Sequence, residues 1–343
     1  MNLKTIAKLA GVSTVTVSNV LNGKYNRASE ETVERILKIV AENNYQPSAT
    51  ARSLITKKSR IIGVMIPWIR PGESFSKSPY NSQMLGYLSS YIRDQGYYMM
   101  PRCVLLAHEI LPDIATWNVD GLFVLSTFAK DALELSEKLT IPTVFIDTYP
   151  ANSSLVSVGT EDYQGGYLAT KYLLDKGHRK IAFAGTSIDY PGVIQERYLG
   201  FHDAYRDLGL EPVPEHIFEL GDTSYQVGED AGQKIAAAEQ QFTAVVSMSD
   251  IASFGIMEGL RMGGLRVPED VSIIGFDDLP ECQYSHPKLT TISQHLEEKA
   301  RLAGECLFSM LRGGDPPAET IKVDVELIER QSVIPLTTSE KAG

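Results

Sequence analysis

Along residues 1–46, apolar side chains recur at intervals of three and four, and the rhythm breaks at glycine, serine and asparagine. Ile6, Leu9 and Ala10 fall on one helical face. Asn2 is placed to cap that helix, and Gly11 is free to close it in a left-handed backbone. Val12 plugs the angle to a second helix, which Ser13 caps and whose Val17, Val20 and Leu21 point inward. Thr14, Val15, Thr16, Ser18 and Asn19 are left outside. A third helix follows Ser29, with Glu30 and Glu31 set against its dipole; it buries Val33, Ile36, Leu37 and Val40 and ends at Asn43-Asn44. Two short helices joined at a glycine and restarted by a serine cap are the elements of a helix-turn-helix.

Pro47 stops the third helix, and Ser48 to Ile55 is long enough for two turns that would not be stable alone in water. From Arg60 the period changes. Short apolar runs at 61–66, 121–125, 143–146, 181–184, 244–246 and 271–275 alternate with amphipathic stretches at 83–94, 163–174, 195–207, 226–238, 251–262 and 296–311. Strands alternating with helices imply parallel sheets covered on both faces. The fold class expected is therefore α/β behind an N-terminal all-α headpiece. The expected domains are 1–46, a hinge at 47–59, and a body from 60 to 343.

Charge sharpens this division. Residues 1–60 carry ten basic and four acidic side chains, a balance of +6, which leaves −17 for the remaining 283 residues. A basic head on an acidic body suits phosphate contact and keeps the body off a duplex. No run of 18 apolar residues exists, and the N-terminus reads as a helix of the headpiece rather than a secretory leader. Cys103, Cys282 and Cys306 are far apart and unpaired by spacing, so a reduced, cytoplasmic protein is expected. Catalytic signatures are missing: no GxGxxG, Walker loop, GxSxG or HExxH occurs, Ser74-Phe75-Ser76-Lys77 is an isolated SxxK, and the six histidines show no metal-like spacing. No enzyme and no cofactor are expected.

Ala7-Lys8-Leu9-Ala10-Gly11-Val12-Ser13, Thr16-Val17-Ser18, Val20-Leu21-Asn22, Ser29-Glu30-Glu31-Thr32 and the run from Tyr45 to Leu54 together resemble the headpiece of the LacI/GalR repressors. The resemblance extends over essentially the whole chain. It implies that Thr14, Val15 and Asn19 read bases in the major groove. Their chemistry agrees, since methyls suit thymine and an asparagine amide pairs with adenine. Thr16, Ser18 and Asn22 would hold phosphates. Ser48, Ala51 and Leu54 would belong to a hinge helix in the minor groove, Leu54 wedged between base pairs; composition alone reads this segment equally well as a linker.

For the body, the resemblance implies a two-lobed fold like the periplasmic binding proteins. One lobe would span about 60–160 plus 291–323, the other about 161–290 plus 324–343, with crossings near Thr160, Leu289–Thr291 and Val323–Val325. Loops after the strands would form an effector cleft. Matched positions there are Arg197, Asp277, Ser249 and Gln294, with Tyr80 and Trp68 as stacking candidates. Asp250, following Val246 with Ser249, would line the cleft too. By themselves, Arg197 reads as a surface arginine and Asp277, Asp278 and Asp250 as caps. Thr223 stands where the family usually places an aromatic, and Tyr225 is a nearby substitute.

The function implied is a homodimeric repressor of a near-palindromic DNA operator, with dimer contacts around Tyr87 and Tyr91, switched by a small ligand. A sugar is the family default; a phosphosugar or a purine fits the same residues. Alternatives are a solute-binding protein of a sugar transporter and a family member co-regulated by a phosphocarrier protein.

Overall fold

The computed structural model describes residues 1–21, 23–45, 58–67, 78–150, 155–186, 191–212, 214–239, 241–317 and 320–336. The chain divides into two units, Met1–Arg60 and Ile61–Gly343. In the first, α1 (Leu3–Ala10) starts where Asn2 Oδ1 accepts the Thr5 N–H at 3.0 Å, and ends at Gly11 with φ +65°. Ser13 Oγ accepts the Thr16 N–H at 3.1 Å and starts α2 (Thr14–Leu21). Ser29 caps α3 (Glu30–Glu42) in the same way. The three helices close on Ile6, Ala7, Ala10, Val17, Val20 and Ile36, with Val12, Leu21, Val33 and Val40 packed at the margin.

Two expected core residues are elsewhere. Leu9 is 56% and Leu37 40% exposed. Ala7 replaces Leu9 in the buried stripe of α1, and Leu37 follows the fully buried Ile36. One residue of displacement turns a side chain about 100° round the helix, which is enough to leave the core.

The body contains two sheets built on the same plan. In the first, β1 (Ile61–Ile66), β2 (Tyr98–Cys103), β3 (Gly121–Leu125), β4 (Thr143–Ile146) and β5 (Ser157–Thr160) are arranged 2-1-3-4-5, and every pairing is parallel. In the second, β6 (Ile181–Gly185), β7 (Ile217–Glu219), β8 (Ala244–Ser247), β9 (Ser272–Asp277) and β10 (Thr290–Ser293) repeat that order as 7-6-8-9-10. Two late strands then return one to each sheet: β11 (Ile321–Val323) lies parallel to β5, and β12 (Glu326–Ile328) antiparallel to β10.

Helices cover the faces, because strands buried on both sides are apolar throughout. The first sheet packs α4 (Pro79–Asp94) and α11 (Leu296–Leu311) on a core that includes Ile62, Val64, Phe123 and Leu307. Its other face, covered by α5 (Leu111–Trp117) and α6 (Ala129–Ser136), buries Met65, Leu122 and Phe145. On the second sheet, α7 (Asp162–Asp175) and α8 (Val193–Arg206) bury Phe183, Phe201 and Tyr205. Opposite them, α9 (Tyr225–Ala237) and α10 (Asp250–Met262) bury Val245, Ile256 and Leu260.

The lobe crossings fall after Thr160 and after Val323, but the middle one is later than expected. Thr291–Ser293 pair with Gly275–Asp277 on one side and with Glu326–Ile328 on the other, so they belong to the second lobe, and the chain crosses at Gln294-His295. Tyr91 packs its ring 5.9 Å from that of Phe308 and covers Gly304, so it is committed largely to its own lobe.

Close helix packing sets a further constraint. Gly228 and Gly232 of α9 meet Gly255 and Gly259 of α10 backbone to backbone, and a Cβ on Gly255 would stand 2.0 Å from the Tyr225 carbonyl oxygen. Gly86, inside α4, faces open space. Gly255→Ala is therefore expected to destabilise the body by about 2 kcal/mol, through forced separation of the helices. Gly86→Ala should stabilise by about 0.5–1 kcal/mol, through helix propensity. Urea unfolding of both variants checks this, and equal effects would contradict the packing argument.

Candidate functional site

Two surfaces gather the chemistry. On α2, Val15 is 66% exposed, an unusual position for a large aliphatic side chain, while Thr14, Thr16, Ser18 and Asn19 are half-buried beside it. Thr16 Oγ1 lies 2.9 Å from Ser13 Oγ, so this hydroxyl takes part in the helix cap. Lys4, Lys8, Lys24 and Arg27 are exposed on the same small unit. The other expected DNA contacts, Asn22, Ser48, Ala51 and Leu54, lie outside the described residues, as does Trp68.

The second surface follows from strand order. In a 2-1-3-4-5 sheet the chain reverses direction of winding between β1 and β3, and in the second sheet between β6 and β8. Loops at the carboxyl ends of such strands part and leave a crevice. Here the crevices of the two sheets meet in one cavity of about 670 Å³. Tyr80, Arg197, Thr223, Ser249, Asp277 and Gln294 all border it. Three strand-end residues at this cavity carry positive φ without being glycine: Ser126 (+41°), Asp147 (+56°) and Asp277 (+128°). Strained backbone gathers at functional sites, where surrounding contacts hold it in place.

Arg197 lies in the wall, not on the surface. It is 5% exposed, donates from Nε to Asp162 Oδ1 at 2.7 Å and from Nη1 to the Met248 carbonyl at 2.8 Å, and lies 3.5 Å over the Phe276 ring. The Tyr149 hydroxyl donates to the other oxygen of Asp162 at 2.7 Å. Burial alone would lower the pKa of Arg197; the carboxylates of Asp162, Asp277 and Asp147 outweigh it, and the guanidinium stays charged.

A second network crosses between the lobes. Lys299 is fully buried and donates to Asp147 Oδ1 at 2.8 Å and to Gln294 Oε1 at 2.6 Å. Thr160 donates to the same Gln294 oxygen at 3.1 Å. An ammonium offers only hydrogens, so the Gln294 oxygen must face Lys299, and its NH₂ is left to donate to Asp277 Oδ1. Tyr80 donates its hydroxyl to Asp147; burial first, and that carboxylate second, push its pKa well up and keep it a phenol.

Several residues of this site escaped the sequence reading: Asp147, Tyr149, Asp162, Lys299, Thr127 and Phe128. Lys299 carried a signal, since it interrupts the apolar stripe Leu296, Ala300, Ala303 and Leu307 of α11. The others follow strands without a distinctive spacing. Three expectations are corrected. Asp250 faces away from the cavity and accepts from Thr291 Oγ1 (2.6 Å), the Leu279 N–H (2.8 Å) and the Cys282 thiol (3.0 Å). Asp278 pairs with Arg330 at 2.6 Å. Tyr225 lines a separate hollow between α10 and the 281–287 turn, so it does not stack in the cleft; Phe128, 46% exposed, borders the cleft instead. Cys282 is accordingly a structural donor, and burial pushes its thiol pKa up.

Asp250 and Asp277 both sit above the ordinary carboxylate range. Burial pushes Asp250 up to about 7, and burial with the neighbouring Asp250 pushes Asp277 up to about 8. The folded chain thus holds a proton that an unfolded carboxylate, ionising near 3.8, has already lost. Stability from this source falls as pH rises toward about 8. His178, lowered by burial, acts with the opposite sign below about 6.5, so the test belongs above that. Between pH 6.5 and 8, Asp277→Asn should flatten the loss of unfolding free energy by up to about 1.4 kcal/mol per pH unit. Urea titrations at several pH values measure it, and an unchanged slope would refute a protonated Asp277 in the folded chain.

Comparison with known proteins agrees with this geometry. Residues 2–48 match the model of bacterial regulatory proteins of the lacI family, and residues 170–333 match a periplasmic binding protein-like domain. The HTH-type transcriptional repressor PurR of Vibrio vulnificus (strain CMCP6) is 34% identical over 337 residues, covering 96% of this chain and 98% of that protein. The lac repressor dimer bound to operator and the anti-inducer ONPF superposes with a TM-score of 0.84 at 24% identity, over 97% of this chain and 99% of that one. A LacI family transcriptional regulator from Enterococcus faecium with bound ribose gives 0.69 at 26% identity, over 81% of this chain and all of the other. Among the described residues, no helix is long and apolar enough to cross a membrane. The chain belongs to the LacI family of bacterial regulatory proteins: it is a non-enzymatic, DNA-binding transcriptional repressor with a ligand-binding effector region.

Proposed function

We propose that the chain acts in the cytoplasm as a homodimer on a near-palindromic operator, and that a sugar or sugar derivative in the interlobe cavity switches its affinity. In this reading Thr14, Val15 and Asn19 face bases while Thr16, Ser18 and Asn22 hold phosphates. Ser48, Ala51 and Leu54 enter the minor groove. Two copies are needed because one headpiece buries too little surface for high specificity. Ligand would shift the lobes against each other and order or melt the short hinge.

The observation that carries the effector reading is the cavity itself. At its wall Asp277, Gln294, Ser249 and Arg197 offer a mixed set of donors and acceptors beside the aromatic rings of Tyr80, Tyr149 and Phe128. Hydroxyls in a ring plane and an apolar ring face ask for that combination. The ribose-bound relative supports it. A purine base is the second reading: stacking rings and paired donors serve it as well, and the relative from Vibrio vulnificus carries the name PurR.

Thermal unfolding against a panel of sugars and purine bases tests both, since a ligand of the folded state raises the melting temperature. Arg197→Ala should abolish the ligand-induced rise and leave operator affinity within about twofold; loss of operator binding in this variant would contradict the separation of roles. Leu54→Ala should weaken operator binding and leave ligand affinity unchanged, and equal band-shift titrations of variant and wild type would refute the wedge. Operator affinity should drop by several decades per decade of salt, as release of counterions from phosphates requires.

A further inference from the structure

We infer that the cavity is built for an uncharged ligand and discriminates against phosphorylated and carboxylated ones, with the buried Lys299–Asp147 pair setting that preference. The inference rests on the effector reading above and narrows it, from sugars or purines of any charge to neutral ones.

The first observation is how the cations are spent. Among the described residues at or directly behind the cavity wall, the cations are Arg197 and Lys299. Each is within 2.8 Å of a carboxylate oxygen of this chain: Arg197 of Asp162, Lys299 of Asp147. Both pairs are almost wholly withdrawn from water, with side-chain exposures of 6% and 1% for the first and 0% and 7% for the second. Two carboxyl groups at the wall remain, Asp277 and the exposed Asp222, whose Oδ1 accepts its own turn's Ser224 N–H at 2.7 Å. Among the described residues, no unpaired cation at the wall is left for a ligand's phosphate, and beside the two ion pairs stand only the largely protonated carboxyl of Asp277 and the exposed Asp222.

An entering anion would have to shed its water where these groups offer it no free cation, or pull a buried cation from its partner. Either choice leaves a charge uncompensated in a poorly solvated place, the costly case for buried ions. Neutral hydroxyl or amide groups meet no such barrier. Thr127 Oγ1 is buried at the wall with no hydrogen-bond partner among the described residues. An uncharged hydroxyl or amide, which can donate or accept, satisfies that hydroxyl without bringing a charge.

Lys299 is the residue on which the balance turns. It occupies a stripe position on α11 where the neighbours are Leu296, Ala300 and Ala303, so packing alone calls for an aliphatic side chain. Its ammonium compensates Asp147 and fixes the amide of Gln294, and through that amide the carboxyl of Asp277. Lys299 thus acts as a positioning residue, behind the wall rather than on the ligand.

The test compares neutral compounds with their own anionic derivatives on the full-length protein by calorimetric titration. The pairs are ribose and ribose 5-phosphate, glucose and glucose 6-phosphate or gluconate, and adenine or guanine and the 5′-monophosphates. The expected result is that any neutral compound that binds does so at least about 100-fold more tightly than its anionic partner. Asp147→Asn leaves Lys299 unpaired and should narrow the gap at least tenfold, and Asp147→Asn with Lys299→Met should restore it. An ester that binds as tightly as its parent overturns the inference while leaving the effector cavity in place. A gap unchanged in Asp147→Asn overturns the role of the pair. If that variant does not fold, the wild-type ratio still decides the ligand's charge. Binding by no compound of the panel removes the effector reading and this inference with it.

Discussion

The lobes of the body are tied at one side chain. Gln294 lies where the chain passes from the second sheet to α11, and its amide is held from both directions: Lys299 and Thr160 on the oxygen, Asp277 on the nitrogen. Each partner belongs to a different element, so the crossover, the ends of β5 and β9, and the first turns of α11 keep a single mutual arrangement. A buried polar network of this kind is costly when partly satisfied and specific when complete. The cavity inherits its geometry from that arrangement, because Asp277 and, through Asp147, Tyr80 are held by the same ammonium.

Charge then divides the labour. The headpiece is basic and small, its fold secured by caps at Asn2, Ser13 and Ser29 and by six fully or nearly buried apolar side chains. Short polar side chains and the exposed Val15 are left on the outside of α2, where the proposed reading sets them against bases. The body is acidic, yet the two cations buried at its cavity are each neutralised by a carboxylate of the same chain. In the proposed reading the same molecule presents the exposed Lys4, Lys8, Lys24 and Arg27 to a phosphate backbone and ion-paired cations to a metabolite. Long-range attraction suits the first partner, and local hydrogen-bond matching suits the second.

Much of this was legible in the amino-acid order. Helix caps and apolar stripes located the headpiece helices, and six strands made of near-continuous Val, Ile, Leu and Phe showed themselves as apolar runs. The strands that stayed hidden are polar or interrupted. Ser157-Val158-Gly159-Thr160 and Thr290-Thr291-Ile292-Ser293 resemble loops because their small hydroxyl side chains bond to polar partners, Ser157 to the Thr148 carbonyl, Thr160 to Gln294 and Thr291 to Asp250, rather than filling an apolar face. Tyr98–Cys103 contains Pro101, which an outermost strand tolerates and a central one would not. The same limit applied to the site. Arg197, Asp277 and Gln294 were found by resemblance, and the structure added what spacing could not express, namely that carboxylates 35 and 152 residues away neutralise the two buried cations.

The central claim is that a ligand in the cavity and DNA on the headpiece share one conformational equilibrium. Linkage makes that claim measurable from either end. The dissociation constant of a cavity ligand should be determined by titration with the protein free and again with the protein saturated by operator. The account predicts that it changes by at least about tenfold, and by the same factor by which ligand changes operator affinity. A ligand affinity indifferent to bound DNA would contradict it.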